Sequence, residues 1–159
     1  MLGGEARLDG FWRRAYSCAP MFKARHDNGI VFYDGVCGLC DRWVRFVVKR
    51  DRHRTLRFAP LQGETAKTRT DLPAELRTVV FVLLRPGATD EQIFTRSEAA
   101  LRLLDHVGGF WRLVSWLRLV PRPLRDAVYD VIARRRYQWF GKFEACRVPP
   151  PEWRERFLP

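Results

Sequence analysis

Histidine, cysteine and methionine are scarce in this chain, with 3, 4 and 2 copies among 159 residues. The histidines stand singly at His26, His53 and His106, and there is no second Cys-x-x-Cys. The two close ligand pairs of a structural zinc site are therefore missing. Four cysteines in a chain of this size point to catalysis or metal binding rather than to a disulfide framework. No apolar run approaches the roughly 20 residues that cross a bilayer, so no transmembrane segment is expected. The first 20 residues include Glu5, Arg7, Asp9, Arg13 and Arg14 and lack the apolar stretch of a secretory signal, which makes a cytoplasmic location the expectation. Internal repeats are also lacking. Acidic residues are few, 18 against 29 Lys and Arg, for a net charge of +11. Such a charge steers anionic partners toward the surface, but it speaks to solubility and association rather than to fold. Weak association with anionic surfaces is expected from it, and no specific nucleic-acid binding.

What the chain does contain is enough to bury a core. It is 47% hydrophobic, with 11 Phe and 6 Trp. Its length is most simply one domain. Residues 1–25 show no clear period and form a poorly defined extension, for which Met21 is an alternative start. Residues 26–159 form the domain, opened by the turn signal His26-Asp27-Asn28-Gly29.

Along that domain, Gly29 to Tyr33 reads as a strand. Leu39, Cys40, Trp43, Val44, Val47 and Val48 then recur at helical spacing. Leu56 to Ala59 is a second strand, Gln62 to Thr70 holds a short helix, and Pro73 opens another turn. Thr78 to Leu84 is apolar at almost every position, as a strand buried on both faces requires. Pro86-Gly87 turns the chain into a return strand, Gln92 to Thr95. A helix begins near Ser97 and ends at Gly108-Gly109. A second runs from Phe110 to Val120, and its expected place is packed on the domain's own sheet, although Phe110 to Arg118 also suits a membrane surface. A third spans Leu124 to Phe140, with Leu124, Val128, Val131 and Ile132 on one face and Gly141 as C-cap. The proline-rich tail from Cys146 to Pro159 is expected to lie extended on the surface. The strand–helix–strand unit sets the first two strands parallel, and the short turn sets the later pair antiparallel. The fold class is therefore α/β: a mixed four-stranded sheet flanked by helices, thioredoxin-like, with an added C-terminal helical segment.

The chemistry centres on Cys37-Gly38-Leu39-Cys40, at the junction of the first strand and first helix. A helix N-terminus offers unpaired N–H groups and a partial positive charge, which favour a thiolate. Such a setting lowers a cysteine pKa from about 8.5 to roughly 3.5–7.5. Cys37, at the junction, is the expected attacking thiol and the more exposed one. Cys40, one turn in and on the inner face, is the expected resolving thiol with the higher pKa. Asp34, three residues before Cys37, either holds the turn through its side chain or relays a proton to or from Cys40. Gly35 suits a positive φ or a close backbone approach. Cys146 reads as a half-buried thiol or, more sharply, as a third redox thiol, and Cys18 as incidental.

The run Phe32-Tyr33-Asp34-Gly35-Val36-Cys37-Gly38-Leu39-Cys40 resembles the signature of the DCC family of thiol-disulfide oxidoreductases, named for Asp-x-x-Cys-x-x-Cys. Arg57-Phe58-Ala59-Pro60-Leu61-Gln62, Arg96-Ser97-Glu98-Ala99-Ala100-Leu101 and Arg135-Arg136-Tyr137-Gln138-Trp139-Phe140-Gly141 resemble further blocks of that family. The resemblance covers roughly residues 27 to 158. It implies a thioredoxin-like fold and disulfide exchange with a protein or a small thiol, with Cys37, Cys40 and Asp34 as site residues and no cofactor. One departure stands out. Thioredoxin-like enzymes usually carry a cis-proline before the antiparallel strand, where this chain has Thr78-Val79; Thr78 is the candidate to face the thiols there. The alternative to an enzyme is a basic binding module for membrane or nucleic acid, with a non-catalytic or metal-binding Cys-x-x-Cys.

Overall fold

The computed structural model describes residues 28–72, 78–84 and 91–159. The N-terminal extension, Cys18, His26-Asp27 and the turns at Pro73 and Pro86-Gly87 lie outside the described residues. Ile30, Val31, Phe32 and Tyr33 are all buried, so β1 (Asn28–Tyr33) is covered on both faces. After a short turn comes α1 (Gly38–Arg50), which buries Cys40, Val44, Val47 and Val48 along one stripe. β2 (Leu56–Pro60), the short α2 (Glu64–Lys67), β3 (Val80–Leu84) and β4 (Glu91–Thr95) follow. α3 (Arg96–Val107) ends at Gly108 and Gly109, both with positive φ.

The four strands form one sheet in the order β2-β1-β3-β4. β1 pairs parallel with β2, Val31 against Phe58, and antiparallel with β3, Val31 against Phe81. β3 and β4 are antiparallel, with Val82 against Ile93. Alternation along the strands divides the core in two. Val31, Tyr33, Phe58, Phe81 and Leu83 face α1 and α3, meeting Val44, Val47, Ala99 and Leu103. Ile30, Phe32, Ala59, Val80 and Val82 face the other way, onto Leu61 and Ala66. This is the thioredoxin-like α/β arrangement expected from the order of elements.

The C-terminal third departs from expectation in two places. The Phe110–Val120 segment is helical only over α4 (Trp111–Val114) and tightens into a 3-10 turn over Ser115–Leu119. It is not buried against the sheet, because α1 and α3 already cover that face; Phe110, Leu113 and Trp116 are exposed. α5 (Arg122–Phe140) starts with Pro123 in its first turn and ends at Gly141. Both segments rest on α3 as an outer layer. The proline-rich tail is not loose. Pro151–Arg156 forms a 3-10 turn, and Phe157 stacks on Phe58 at 5.4 Å. The Leu158 N–H donates to the Phe58 carbonyl at 2.8 Å, so the tail closes the free edge of β2. Arg156 is buried and donates to Asp51 and, at 3.1 Å, to the Val48 carbonyl. That bond ties the tail to the end of α1.

Candidate active site

The end of β1 delivers Asp34 into a tight turn. The Cys37 N–H donates to the Asp34 carbonyl at 3.2 Å, and the Val36 N–H donates to the Asp34 side chain, also at 3.2 Å. Asp34 thus holds the turn in the way a short acidic side chain can. Cys37 is the N-cap of α1, with extended φ and ψ of -92° and 122°, and its carbonyl accepts the first helical bond, from Asp41, at 3.0 Å. Gly35 has no positive φ; it serves the close approach instead. A Cβ on it would lie 2.6 Å from Cys146 Sγ.

Cys37 is not the more exposed thiol. It is 0% exposed and Cys40 is 6% exposed. The cover comes from the residues just past α5. The Gly38 N–H donates to the Gly141 carbonyl at 3.1 Å, and the Phe143 N–H donates to the Val36 carbonyl at 2.8 Å. Lys142 pairs opposite Cys37 as in an antiparallel strand. Gly38 permits this contact, since a Cβ there would sit 2.1 Å from the Phe140 carbonyl oxygen.

The Asp34 carboxylate is buried, 2% exposed, and a buried carboxylate needs partners. Arg136 Nη2 donates to it at 2.6 Å, Gln62 Nε2 at 2.8 Å, and the Tyr137 hydroxyl donates to the same oxygen as Arg136. Gln62 is held in turn by the Gly35 N–H at 3.1 Å. Arg136 is itself 3% exposed, an ion pair fully inside the protein. Its charge also reaches both thiols.

The two thiols are pushed apart. A hydrogen bond from the Cys40 thiol lowers the Cys37 pKa to about 6, helped by the Cys40 and Leu39 backbone N–H groups and by Arg136, against the opposing effect of burial. Cys40 moves the other way, well above the ordinary thiol range, because it donates that bond and is buried. The arrangement is one thiolate supported by one protonated thiol. Its pH linkage has a definite sign. The Cys37 pKa falls on folding from an ordinary 9.0 to about 6, so the reduced protein gains stability as pH rises through that interval and loses it as pH falls toward 6. The opposite contribution of Cys40 begins only above the ordinary thiol value. The stability gap between the reduced protein and Cys37→Ser, measured by urea unfolding under reductant, should widen from about pH 6 toward pH 9. A gap that stays flat or narrows would contradict the thiolate assignment.

Thr78 does not stand free before the thiols. Its hydroxyl lies 3.3 Å from the Tyr129 hydroxyl and accepts the Arg96 N–H at 3.1 Å. The Val79 N–H donates to Tyr129 at 3.0 Å, so the main chain at the usual cis-proline position is occupied from α5. No cis peptide bond occurs among the described residues. Cys146 is exposed, beside Gly35, and within hydrogen-bonding reach of the Tyr33 hydroxyl. His106 bonds Thr55 at 2.8 Å, away from the thiols. Among the described residues no group of three or more His, Cys, Asp or Glu side chains is placed to hold a metal ion. No described helix is long and apolar enough to cross a membrane.

Arg136, Tyr137 and Gln62 belong to the site, but reasoning along the sequence did not assign them to it. A signal existed: Tyr137 lies off the Leu124–Val128–Val131–Ile132 stripe, Arg136 is a charge at the end of its apolar row, and Asp34 lacked a local cation. The distance along the chain, 102 residues between Asp34 and Arg136, hid the pairing.

Comparison with known proteins agrees with the geometry. A family model described as DCC1-like thiol-disulfide oxidoreductase matches residues 31–142, from β1 to the segment that covers Cys37. The chain is 41% identical over 135 residues to the uncharacterized protein YuxK of Bacillus subtilis, covering 83% of this chain and 95% of that protein. It is 32% identical over 124 residues to a chloroplastic DCC family protein of Arabidopsis thaliana, covering 75% of this chain and 69% of that one. No solved structure matches. With the Asp-x-x-Cys-x-x-Cys turn, its helix and Gly141-Lys142 of the covering segment inside the matched region, the chain belongs to the DCC1-like thiol-disulfide oxidoreductase family.

Proposed function

We propose that the protein exchanges electrons between its own Cys37–Cys40 dithiol and disulfides of proteins or small molecules, in a reducing compartment such as the cytoplasm. The observation that carries this reading is the split between the two thiols: Cys37 held as thiolate near neutral pH, Cys40 held protonated beside it. Thiolate is the nucleophile, and a thiol with a pKa near ambient pH combines reactivity with availability.

The Cys37 thiolate attacks one sulfur of the substrate disulfide. A Cys37–substrate bond forms, the substrate S–S bond breaks, and the first substrate sulfur leaves as thiolate. Cys40 then loses its proton and attacks Cys37 Sγ. The Cys37–Cys40 disulfide forms and the second substrate sulfur leaves, taking up a proton. Two electrons have passed from protein to substrate, and the cysteines carry them without an organic cofactor. Asp34 sits between these roles. Its backbone N–H donates toward Cys40 and its carboxylate is anchored by Arg136, Gln62 and Tyr137. That degree of anchoring favours the turn-holding role over proton relay. Attack also requires the Gly141–Phe143 segment to lift from Cys37, which breaks two main-chain hydrogen bonds.

The test is reduction of insulin disulfides under dithiothreitol. The protein should accelerate it, and Cys37→Ser should fall to the rate of reductant alone. Equal rates for the two proteins would overturn the enzyme reading and favour a binding module with an idle Cys-x-x-Cys.

A further inference from the structure

α5 is amphipathic in the reverse sense. The face that meets the body of the protein is polar: Arg125 bonds Glu98, Asp126 bonds Ser97, Asp130 pairs with Arg96 and Arg136 pairs with Asp34. The face turned to solvent is apolar. Leu124, Val128, Val131, Ile132 and Trp139 recur at helical spacing and are 60%, 57%, 46%, 38% and 54% exposed. A surface helix ordinarily does the opposite. The segment just before it repeats the pattern, with Phe110, Leu113, Trp116, Leu117 and Leu119 all more than half exposed. Exposed apolar surface on this scale marks an interaction site.

Charge selects the occupant. Residues 110–140 contain only two acids, Asp126 and Asp130, and both are engaged on the inner face. Arg122 and Arg135 are exposed on the same helix, Arg135 with its guanidinium 5.8 Å from the centre of the Trp139 ring, and Arg112 is exposed on the preceding segment, 3.3 Å from Asp105. The acids beside this face are already engaged, Asp105 by Arg112 as well as Asp126 and Asp130, so a second copy of the chain would bring arginines against arginines with no free carboxylate to answer them. A nucleic acid would satisfy the arginines but leave the leucines and valines wet. An anionic bilayer satisfies both, with apolar side chains in the acyl boundary, tryptophans at headgroup depth and guanidinium groups on the lipid phosphates. We propose that the outer face of α5 and the Phe110–Leu119 segment seat this protein, in the plane of the interface, on a membrane surface rich in anionic lipid. The inference is independent of the dithiol chemistry, yet it has a consequence for it. The Arg136 and Tyr137 side chains turn inward to Asp34, so docking sets the redox site about one helix diameter, ~10 Å, from the lipid.

Cosedimentation of the full chain with vesicles tests this. Binding is expected to vesicles of phosphatidylcholine mixed with phosphatidylglycerol, accompanied by a blue shift of tryptophan emission, and not to phosphatidylcholine alone. Arg122→Glu with Arg135→Glu, and separately Leu119→Asp with Val128→Asp, should each weaken partitioning by about tenfold or more. All four side chains are exposed, and insulin reduction should stay at the wild-type rate. Leu119→Asp alone, at an 85% exposed position, carries the test if a double variant is unstable. Absence of binding by the wild type would overturn the proposal, as would wild-type binding by the apolar variants. So would a dimer in lipid-free solution that Leu119→Asp turns into a monomer, which would assign the face to a second copy.

Discussion

Replacing Cys40 by serine should yield a protein that attacks a disulfide and then stays joined to it. The first displacement needs only the Cys37 thiolate, and the serine hydroxyl can still donate a hydrogen bond to that sulfur. The second displacement needs a thiol at position 40 and has none. Steady-state turnover should fall by about a hundredfold or more, as when one member of a catalytic unit is removed, while a mixed disulfide accumulates on Cys37. Non-reducing mass spectrometry after exposure to glutathione disulfide reads the adduct directly. An adduct found on Cys146 instead would reassign the attacking residue, because Cys146 is exposed whereas Cys37 is covered.

The second large effect is expected at Arg136. Changing it to leucine leaves the Asp34 carboxylate in place, 2% exposed, with its cation gone. Breaking a buried pair by removing one partner typically costs about 3–5 kcal/mol, mostly from the stranded charge. Asp34→Asn in the same protein should recover part of that loss, since an amide can keep bonds to the Val36 N–H and Tyr137 hydroxyl without a charge to strand. The double-mutant cycle by urea unfolding should therefore show a large coupling. Chemistry should respond as well. Arg136 helps lower the Cys37 pKa, so Arg136→Leu should move the midpoint of Cys37 alkylation upward from about 6. A variant that loses stability with an unchanged midpoint would confine Arg136 to a structural role.

The central strands β1 and β3 were legible because they are local statements: apolar residues in both alternating positions, bounded by turn residues. The Cys37–Cys40 pair was legible for the same reason, as a turn and a helix start lying within a dozen residues. The cover over Cys37 was not. It is made by Gly141 to Phe143, main-chain groups whose pairing leaves no side-chain pattern, and Gly38 is what admits them. The stripe on α5 was legible in its period but not in its direction. Apolar spacing says that a helix has a face; the polar residues opposite it, tied to Ser97, Arg96, Glu98 and Asp34, decide that this face turns outward. The tail misled through its prolines, which suggest extended backbone, while Arg156 and Phe157 dock it against Asp51 and Phe58.

The central claim is that Cys37 and Cys40 form a reversible two-electron couple. Equilibration in glutathione redox buffers of graded ratio, acid quenching and mapping of the disulfides by mass spectrometry test it most directly. A single reversible transition with two electrons transferred, confined to Cys37–Cys40 and lost in Cys37→Ser, is the predicted result. Thiols that stay reduced across the whole range, or a bond that joins either one to Cys146 instead, would contradict it.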